Sequence, residues 1–349
     1  MAHIIHNSPI LKSLQGKVLD HPPIWMMRQA GRHLPEYLAV RETAKDFIDF
    51  CFSPKKAAEV TLQPIRRYRM DAAILFADIL LIPIGLGRDV RFVKGLGPQL
   101  DPLTVQDISN LKLEGAADRI SPIYETVRLV REELSEETTL IGFCGGPWTV
   151  ATYMIEGQGT PKKEIAKRFA YENVDDMDRL LEILARSSAD YMINQAKAGA
   201  QVLKIFESWA ENLSPYLFDK LVIKPTKLMI DLIREAGIDV PIITFPRGCG
   251  LNLRAFSNHI KSDCMAIGTD TSLKYARELL GRNVCLQGNL DPLALRIGGN
   301  TLRAAVDRVL KEINGPHIFN LGHGVTPDVK IENVEAVISH IRTGHGNYV

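Results

Sequence analysis

The sequence has no apolar run approaching the ~18 residues that suggest a membrane span, and it has almost no net charge, with 42 Lys+Arg against 41 Asp+Glu and a formal charge of +1. The first absence argues against a membrane-embedded protein. The second removes any bulk electrostatic support for nucleic-acid or anionic-membrane binding, so attraction for an anion has to be local to a cleft. The N-terminus shows no basic segment followed by an apolar one, and the expectation is a soluble, cytoplasmic protein. Cysteine is scarce: Cys51, Cys144, Cys249, Cys264 and Cys285 form an odd set with no C-x-x-C, and no histidine lies within three residues of any of them. That pattern speaks against a redox dithiol and a soft-ligand zinc site and for buried reduced thiols. The fingerprints G-x-G-x-x-G, G-x-x-x-x-G-K-[ST], H-E-x-x-H and G-x-S-x-G are all missing. Gly157-Gln158-Gly159 and Gly248-Cys249-Gly250 are isolated pairs that read as turns.

What is present is a repeat of short apolar runs separated by helix-period sequence. In 349 residues, 46% of them hydrophobic, there are eight candidate strands: 23–28, 72–76, 139–143, 201–206, 241–245, 264–268, 284–288 and 317–321. Between them, stretches such as 176–198 and 215–236 place apolar residues three and four apart. Strand-then-helix repetition implies a parallel sheet, and eight units that close give an α/β single-domain (β/α)8 TIM barrel; a doubly wound sheet is the competing architecture. The run ends favour the barrel. Nearly every run is followed by small, polar or charged residues, among them Arg28-Gln29-Ala30-Gly31, Asp78, Gly145-Gly146-Pro147-Trp148, Glu207-Ser208, Pro246-Arg247-Gly248 and Gly322-His323-Gly324, and a barrel gathers such ends at one face. Asp291-Pro292 and Thr326-Pro327 each read as a cap with proline at the first helical position. The first ~20 residues and residues 342–349 read as loosely held tails.

Several run ends carry chemistry. Arg28 and Arg32, four apart on a turn of small residues and joined downstream by Arg41, suggest a mouth for carboxylates, because a guanidinium offers a planar fork of donors that fits a carboxylate. A plain helix start with solvated arginines is the alternative. Asp78 is the one charge in the apolar segment Ala72–Pro83. A buried carboxylate needs a cation or hydrogen-bond donors opposite it, so Asp78 is either a helix cap or an acceptor for N–H groups and developing positive charge. The turn Gly145-Gly146-Pro147-Trp148 leads into Tyr153 about one helical turn later, and Ser208 and His323 stand at two further strand ends. Each of these either packs a turn or faces a ligand.

Together, Met27-Arg28-Gln29-Ala30-Gly31-Arg32 with Leu34-Pro35-Glu36-Tyr37, Gly146-Pro147-Trp148-Thr149, Gln287-Gly288-Asn289-Leu290-Asp291-Pro292 and Asn320-Leu321-Gly322-His323-Gly324 closely resemble the motifs of the uroporphyrinogen decarboxylase family, over about residues 22–342. The resemblance implies a cofactor-free carboxy-lyase of haem biosynthesis that converts the four acetate arms of uroporphyrinogen III to methyl groups, giving coproporphyrinogen III. It implies Arg28, Gln29, Ala30, Arg32, Arg41, Tyr153, Ser208 and His323 at the substrate, Asp78 accepting hydrogen bonds from the pyrrole N–H groups, and Asp78 and Arg28 as catalytic, with Arg28 the family's favoured candidate for proton donor. No metal is implied, and the implied assembly is a homodimer with facing clefts. The pyrrole itself serves as electron sink, a task other decarboxylases give to a cofactor. The chain departs from the family's pattern at His33, Leu38 and Thr271, where tyrosine, arginine and tryptophan are usual. Two rivals predict other residues. A corrinoid-type or methionine-synthase-type methyltransferase needs a zinc thiolate, and here His323 is followed by Gly324-Val325, with Cys285 the last cysteine. A non-catalytic tetrapyrrole-binding protein is expected to lack Asp78.

Overall fold

Seven parallel strands and one bridging segment close the sheet of this protein on itself. The computed structural model describes residues 8–93 and 95–346. Strands β1 (Ala72–Ile74), β4 (Thr139–Gly145), β5 (Val202–Glu207), β6 (Ile242–Pro246), β7 (Cys264–Ala266), β8 (Cys285–Leu290) and β9 (His317–Leu321) lie side by side in that order. Every neighbouring pair is parallel. The strands are buried on both faces, all seven residues of β4 included, which is why they read as continuous apolar runs with no alternation.

The first expected strand is shorter than its sequence suggested. Of 23–28, Ile24 makes a single parallel bridge to Phe319; Phe319 N–H donates to Pro23 O at 2.8 Å and Asp71 N–H to Ile24 O at 2.9 Å. The Asp71 carboxylate in turn accepts Ile24 N–H at 2.7 Å. Residues 23–25 thus join β9 to β1 and supply the eighth stave, giving the (β/α)8 barrel. The segment cannot extend as a ladder because the chain turns at once, Gln29 N–H donating to Met26 O.

Helices cover the outside. Val174–Ala198 buries Met177, Leu180, Leu181, Leu184, Tyr191 and Ile193, an apolar stripe at helical spacing. The 215–236 stretch is helical with a π turn at Asp219–Ile223 between Pro215–Phe218 and Lys224–Glu235. Asp291 caps Pro292–Ile297 by accepting Leu293 N–H. The expected cap at Thr326 is not one: its hydroxyl donates to Asp328 within a turn, and the helix begins at Ile331. The N-terminal tail expectation is also corrected where residues are described. Pro9–Leu14 is a helix capped by Ser8, with Ile10, Leu11 and Leu14 buried, because its apolar face packs on the barrel. Residues 1–7 and 347–349 lie outside the described residues. A two-stranded antiparallel hairpin, β2 (Val90–Val93) with β3 (Gly97–Leu100), was not foreseen; Phe92 anchors it on Phe47 with ring centroids 4.5 Å apart. Among the described residues no helix is long and apolar enough to cross a membrane.

The barrel interior holds an aromatic layer, Phe143–Phe206–Phe245, from three successive strands. Beside it Lys204, 1% exposed, directs Nζ at the rings of Trp25 and Phe206, each 4.9 Å away, and Phe245 at 5.4 Å. Burial pushes this amine down to about 7, and the rings provide the attraction that a counter-ion would.

Candidate active site

Arg28 follows directly from the bridging segment and adopts a left-handed backbone with φ of 65°, a conformation that costs a side-chain-bearing residue energy and is concentrated at functional sites. Its turn is sewn to the far end of the chain: Met27 N–H donates to Asn320 Oδ1 at 3.0 Å and Val325 N–H to Met27 O at 2.9 Å. The Arg28 side chain lies over Gly324, where a Cβ would meet its Cδ at 2.5 Å. Only a glycine after His323 leaves the guanidinium stem that path.

The Gln29 side chain acts as a brace. Its side chain is 1% exposed, accepts Met26 N–H and donates to Ala72 O, both at 3.0 Å, so the amide ties the arginine turn to β1. Ala30 is half-buried against the core. Arg32 is exposed, and Arg41 stands over the Phe50 ring at 5.7 Å. Arg28, Arg32 and Arg41 form no ion pair or side-chain hydrogen bond among the described residues, unlike the neighbouring Arg67, whose guanidinium grips Glu36 through two bonds.

Asp78 sits past the end of β1, half-buried. One carboxylate oxygen accepts Leu80 N–H at 2.8 Å, so the capping interpretation of the sequence holds for Oδ1; Oδ2 has no hydrogen bond among the described residues. Burial raises the carboxyl to about 6, with Leu80 N–H and the Arg28 charge pulling the other way. His323, at the end of β9, is held down to about 4 by burial and by the positive charges of Arg28 and Arg247, so its imidazole is neutral near pH 7 and offers one donor and one acceptor. Burial raises the Tyr153 phenol, which also senses Asp78, Arg28 and Arg247. The structure therefore brings Arg28, Asp78, Tyr153 and His323 to one barrel mouth. Ser208 joins them: its carbonyl accepts from Arg247 Nε at 2.9 Å, and its neighbour Trp209 packs edge-on against Tyr153.

Two residues at this mouth were not singled out from sequence. Arg247 directly follows β6, and its only signal was a charge after an apolar run. Glu207, 1% exposed, accepts both the N–H and the hydroxyl of Thr149 on Oε1, and Thr149 Oγ1 accepts Trp209 N–H at 3.2 Å. Glu207 thereby fixes the Gly146-Pro147 turn against the Ser208-Trp209 loop. At the departures from the family pattern, His33 stacks on Tyr68 with rings 4° from parallel, Leu38 is exposed, and Thr271 O accepts from Asn289 Nδ2 at 2.7 Å. All five cysteines are buried and free. Among the described residues no three His, Cys, Asp or Glu side chains are placed to hold a metal ion.

These features define a TIM-barrel protein whose strand-end mouth presents unpaired arginines and the half-buried carboxylate of Asp78. The sequence profile of the uroporphyrinogen decarboxylase family (URO-D) matches residues 5–344. A uroporphyrinogen decarboxylase of Maricaulis maris is 50% identical over 335 residues, covering 96% of this chain and 97% of the relative, and one of Phenylobacterium zucineum is 48% identical, covering 95% and 96%. The chain belongs to the uroporphyrinogen decarboxylase family. In fold it is also similar to a methyltransferase from Methanosarcina mazei, with a TM-score of 0.76 at 18% identity and coverage of 96% and 97%. A B12-independent methionine synthase from Shewanella shares the architecture more loosely, with a TM-score of 0.54 at 11% identity and coverage of 83% and 86%. At those identities the likeness is one of fold alone.

Proposed function

We propose that this chain decarboxylates the four acetate arms of uroporphyrinogen III, giving coproporphyrinogen III, with Arg28, Arg32 and Arg41 gripping substrate carboxylates and Asp78 facing the pyrrole N–H groups. The observation that carries this reading is the pairing at one barrel mouth of an unpartnered guanidinium, Arg28, with a carboxylate whose second oxygen is left to the cleft, Asp78. A polyanionic substrate satisfies the arginines, and pyrrole N–H donors satisfy Asp78.

Chemically, a proton adds to a ring carbon next to the one that bears the acetate arm, and the positive charge spreads to the ring nitrogen. The bond to the carboxylate then breaks, carbon dioxide leaves, and the bonding pair neutralises the ring as an exocyclic methylene. A second proton adds to that methylene and the first is lost from the ring, which restores the pyrrole with a methyl group. The ring is the electron sink, so no cofactor is required. Asp78 stabilises the cationic ring by electrostatic preorganisation, Arg28 is the candidate proton donor, and Tyr153, Ser208 and neutral His323 complete the pocket. Family likeness further supports a cytoplasmic homodimer with facing clefts. Anaerobic incubation with uroporphyrinogen, then chromatography of the oxidised porphyrins, tests the reading: stepwise loss of carboxyl groups to a four-carboxyl product supports it, and unchanged uroporphyrin refutes it.

A further inference from the structure

The order of staves around the barrel is the Ile24 segment, then β1, β4, β5, β6, β7, β8 and β9. Counted either way, β6 is four staves from the Ile24 segment, so Arg28 and Arg247 project from diametrically opposite rims of the mouth. The other arginines of the proposed carboxylate grip, Arg32 and Arg41, follow the Ile24 segment on the near side. A flat macrocycle bearing carboxylates around its whole edge and sitting over Asp78 presents anions to the far side as well.

Arg247 is built to meet them. Its Nε donates to Ser208 O at 2.9 Å, which fixes the plane of the guanidinium, and its stem runs past Gly268, where a Cβ would come within 3.7 Å of Cγ. Its only ion-pair partner among the described residues is Glu211, whose Oε2 is at 3.5 Å from Nη2. That acid is already held by Lys163, with Nζ 2.6 Å from Oε1 and the lysine side chain fully buried. Two cations share one anion, so the cluster keeps a surplus positive charge. Nη1 makes no hydrogen bond among the described residues, and the side chain is 28% exposed. The charge reaches the pocket, since it acts together with that of Arg28 on both His323 and Tyr153.

We propose that Arg247 binds a substrate carboxylate on the rim of the macrocycle opposite Arg28, so that the tetrapyrrole is held from both sides of the barrel mouth. This rests on the substrate reading given above. The Lys163–Glu211 pair, packed against Trp209 with Nζ 4.9 Å from the ring centroid, is the rigid seat that keeps the guanidinium aimed inward.

The test uses Arg247→Gln, whose amide can still donate to Ser208 O but carries no charge, and Arg247→Lys, which restores the charge without the fork. Anaerobic kinetics with uroporphyrinogen and fluorescence titration with uroporphyrin are run on both variants and on wild type, with thermal melting to confirm the fold. Arg247→Gln is expected to raise KM and the uroporphyrin Kd by about tenfold or more while lowering kcat much less, and Arg247→Lys to recover part of the loss. A KM and Kd within about twofold of wild type, or a fall in kcat alone, overturns the assignment and leaves the decarboxylase reading standing. A wild-type protein that neither binds uroporphyrin nor turns over uroporphyrinogen overturns both.

Discussion

A side chain at Gly146 would collide with Glu207: a Cβ built there lies 2.2 Å from Oε2 and 2.6 Å from Cδ of the carboxyl. The glycine after β4 is therefore needed to let a buried carboxyl group close the gap between two strand ends. Oε2 itself has no hydrogen-bond partner among the described residues, and burial raises the group to about 8 against the bonds from Thr149, so near neutral pH it is mainly a protonated acid.

Gly146→Ala is accordingly expected to destabilise the fold by about 1–3 kcal/mol, the usual cost of forcing an extra carbon into a packed site. Denaturant unfolding measures it. Activity should fall with it, because Thr149 links Glu207 to the backbone of Trp209. Unchanged stability would mean that the carboxyl moves aside freely.

Glu207→Gln removes the titration and keeps the shape. Between the ordinary 4.5 and the folded value of about 8, the native state holds a proton that the unfolded state has released, so wild-type stability falls as pH rises through that window. The variant should lose that slope and gain stability near pH 8, by an amount on the scale of ~1.4 kcal/mol per pKa unit. Melting curves from pH 4.5 to 8.5 check it; parallel profiles for the two proteins would place the carboxyl in contact with water.

Lys204 is an amine whose folded value, about 7, is depressed from 10.5. The unfolded state therefore binds the proton first, and stability is lost as pH falls from 10.5 towards 7. Lys204→Met keeps the length without the charge and is expected to stabilise the protein near pH 7 by about 1–3 kcal/mol. A less stable variant would show that the cation–π contacts with Trp25, Phe206 and Phe245 outweigh the desolvation cost.

Arg32→Ala is expected to weaken kcat/KM for uroporphyrinogen by about 2–5 kcal/mol if a desolvated carboxylate loses its partner. Its melting temperature should stay close to wild type, since the side chain is exposed. Kinetics and melting on one preparation separate the two effects, and unchanged kinetics would remove Arg32 from the carboxylate grip.

Much of this architecture is legible in the sequence because parallel barrel strands are buried on both faces and stand out as uninterrupted apolar runs. Five of the eight runs are strands nearly as read, and the 72–76 and 264–268 runs are three-residue strands over Ala72–Ile74 and Cys264–Ala266. The first run reads as a full strand yet bridges at one residue, because the Asp71 carboxylate stands in for main-chain pairing at Ile24, a substitution that no periodicity signals. The β2–β3 hairpin was missed because Val90–Val93 alternates weakly and its partner begins Gly97-Pro98. At the site, Arg28, Asp78, Tyr153 and His323 were nameable from strand ends and motifs. The Gln29 role was not, since a polar side chain turned inward to bond Ala72 O looks the same in sequence as one turned to a ligand. Arg247 and Glu207 were passed over because their meaning lies in contacts with Ser208, Glu211 and Thr149 that only the fold assembles.

The central claim is that Asp78 stabilises a cationic pyrrole, and Asp78→Asn tests it most directly because it keeps size and the acceptor for Leu80 N–H while removing the charge. The fold should not suffer: burial raises the folded carboxyl from 3.8 to about 6, so its ionised form costs stability as pH rises through that window. Anaerobic turnover of uroporphyrinogen and fluorescence titration with uroporphyrin are measured on the same protein. The account predicts kcat lower by on the order of 10² or more, with uroporphyrin binding weakened far less. Turnover at the wild-type rate would contradict it and leave Asp78 as the cap of the Leu80 turn.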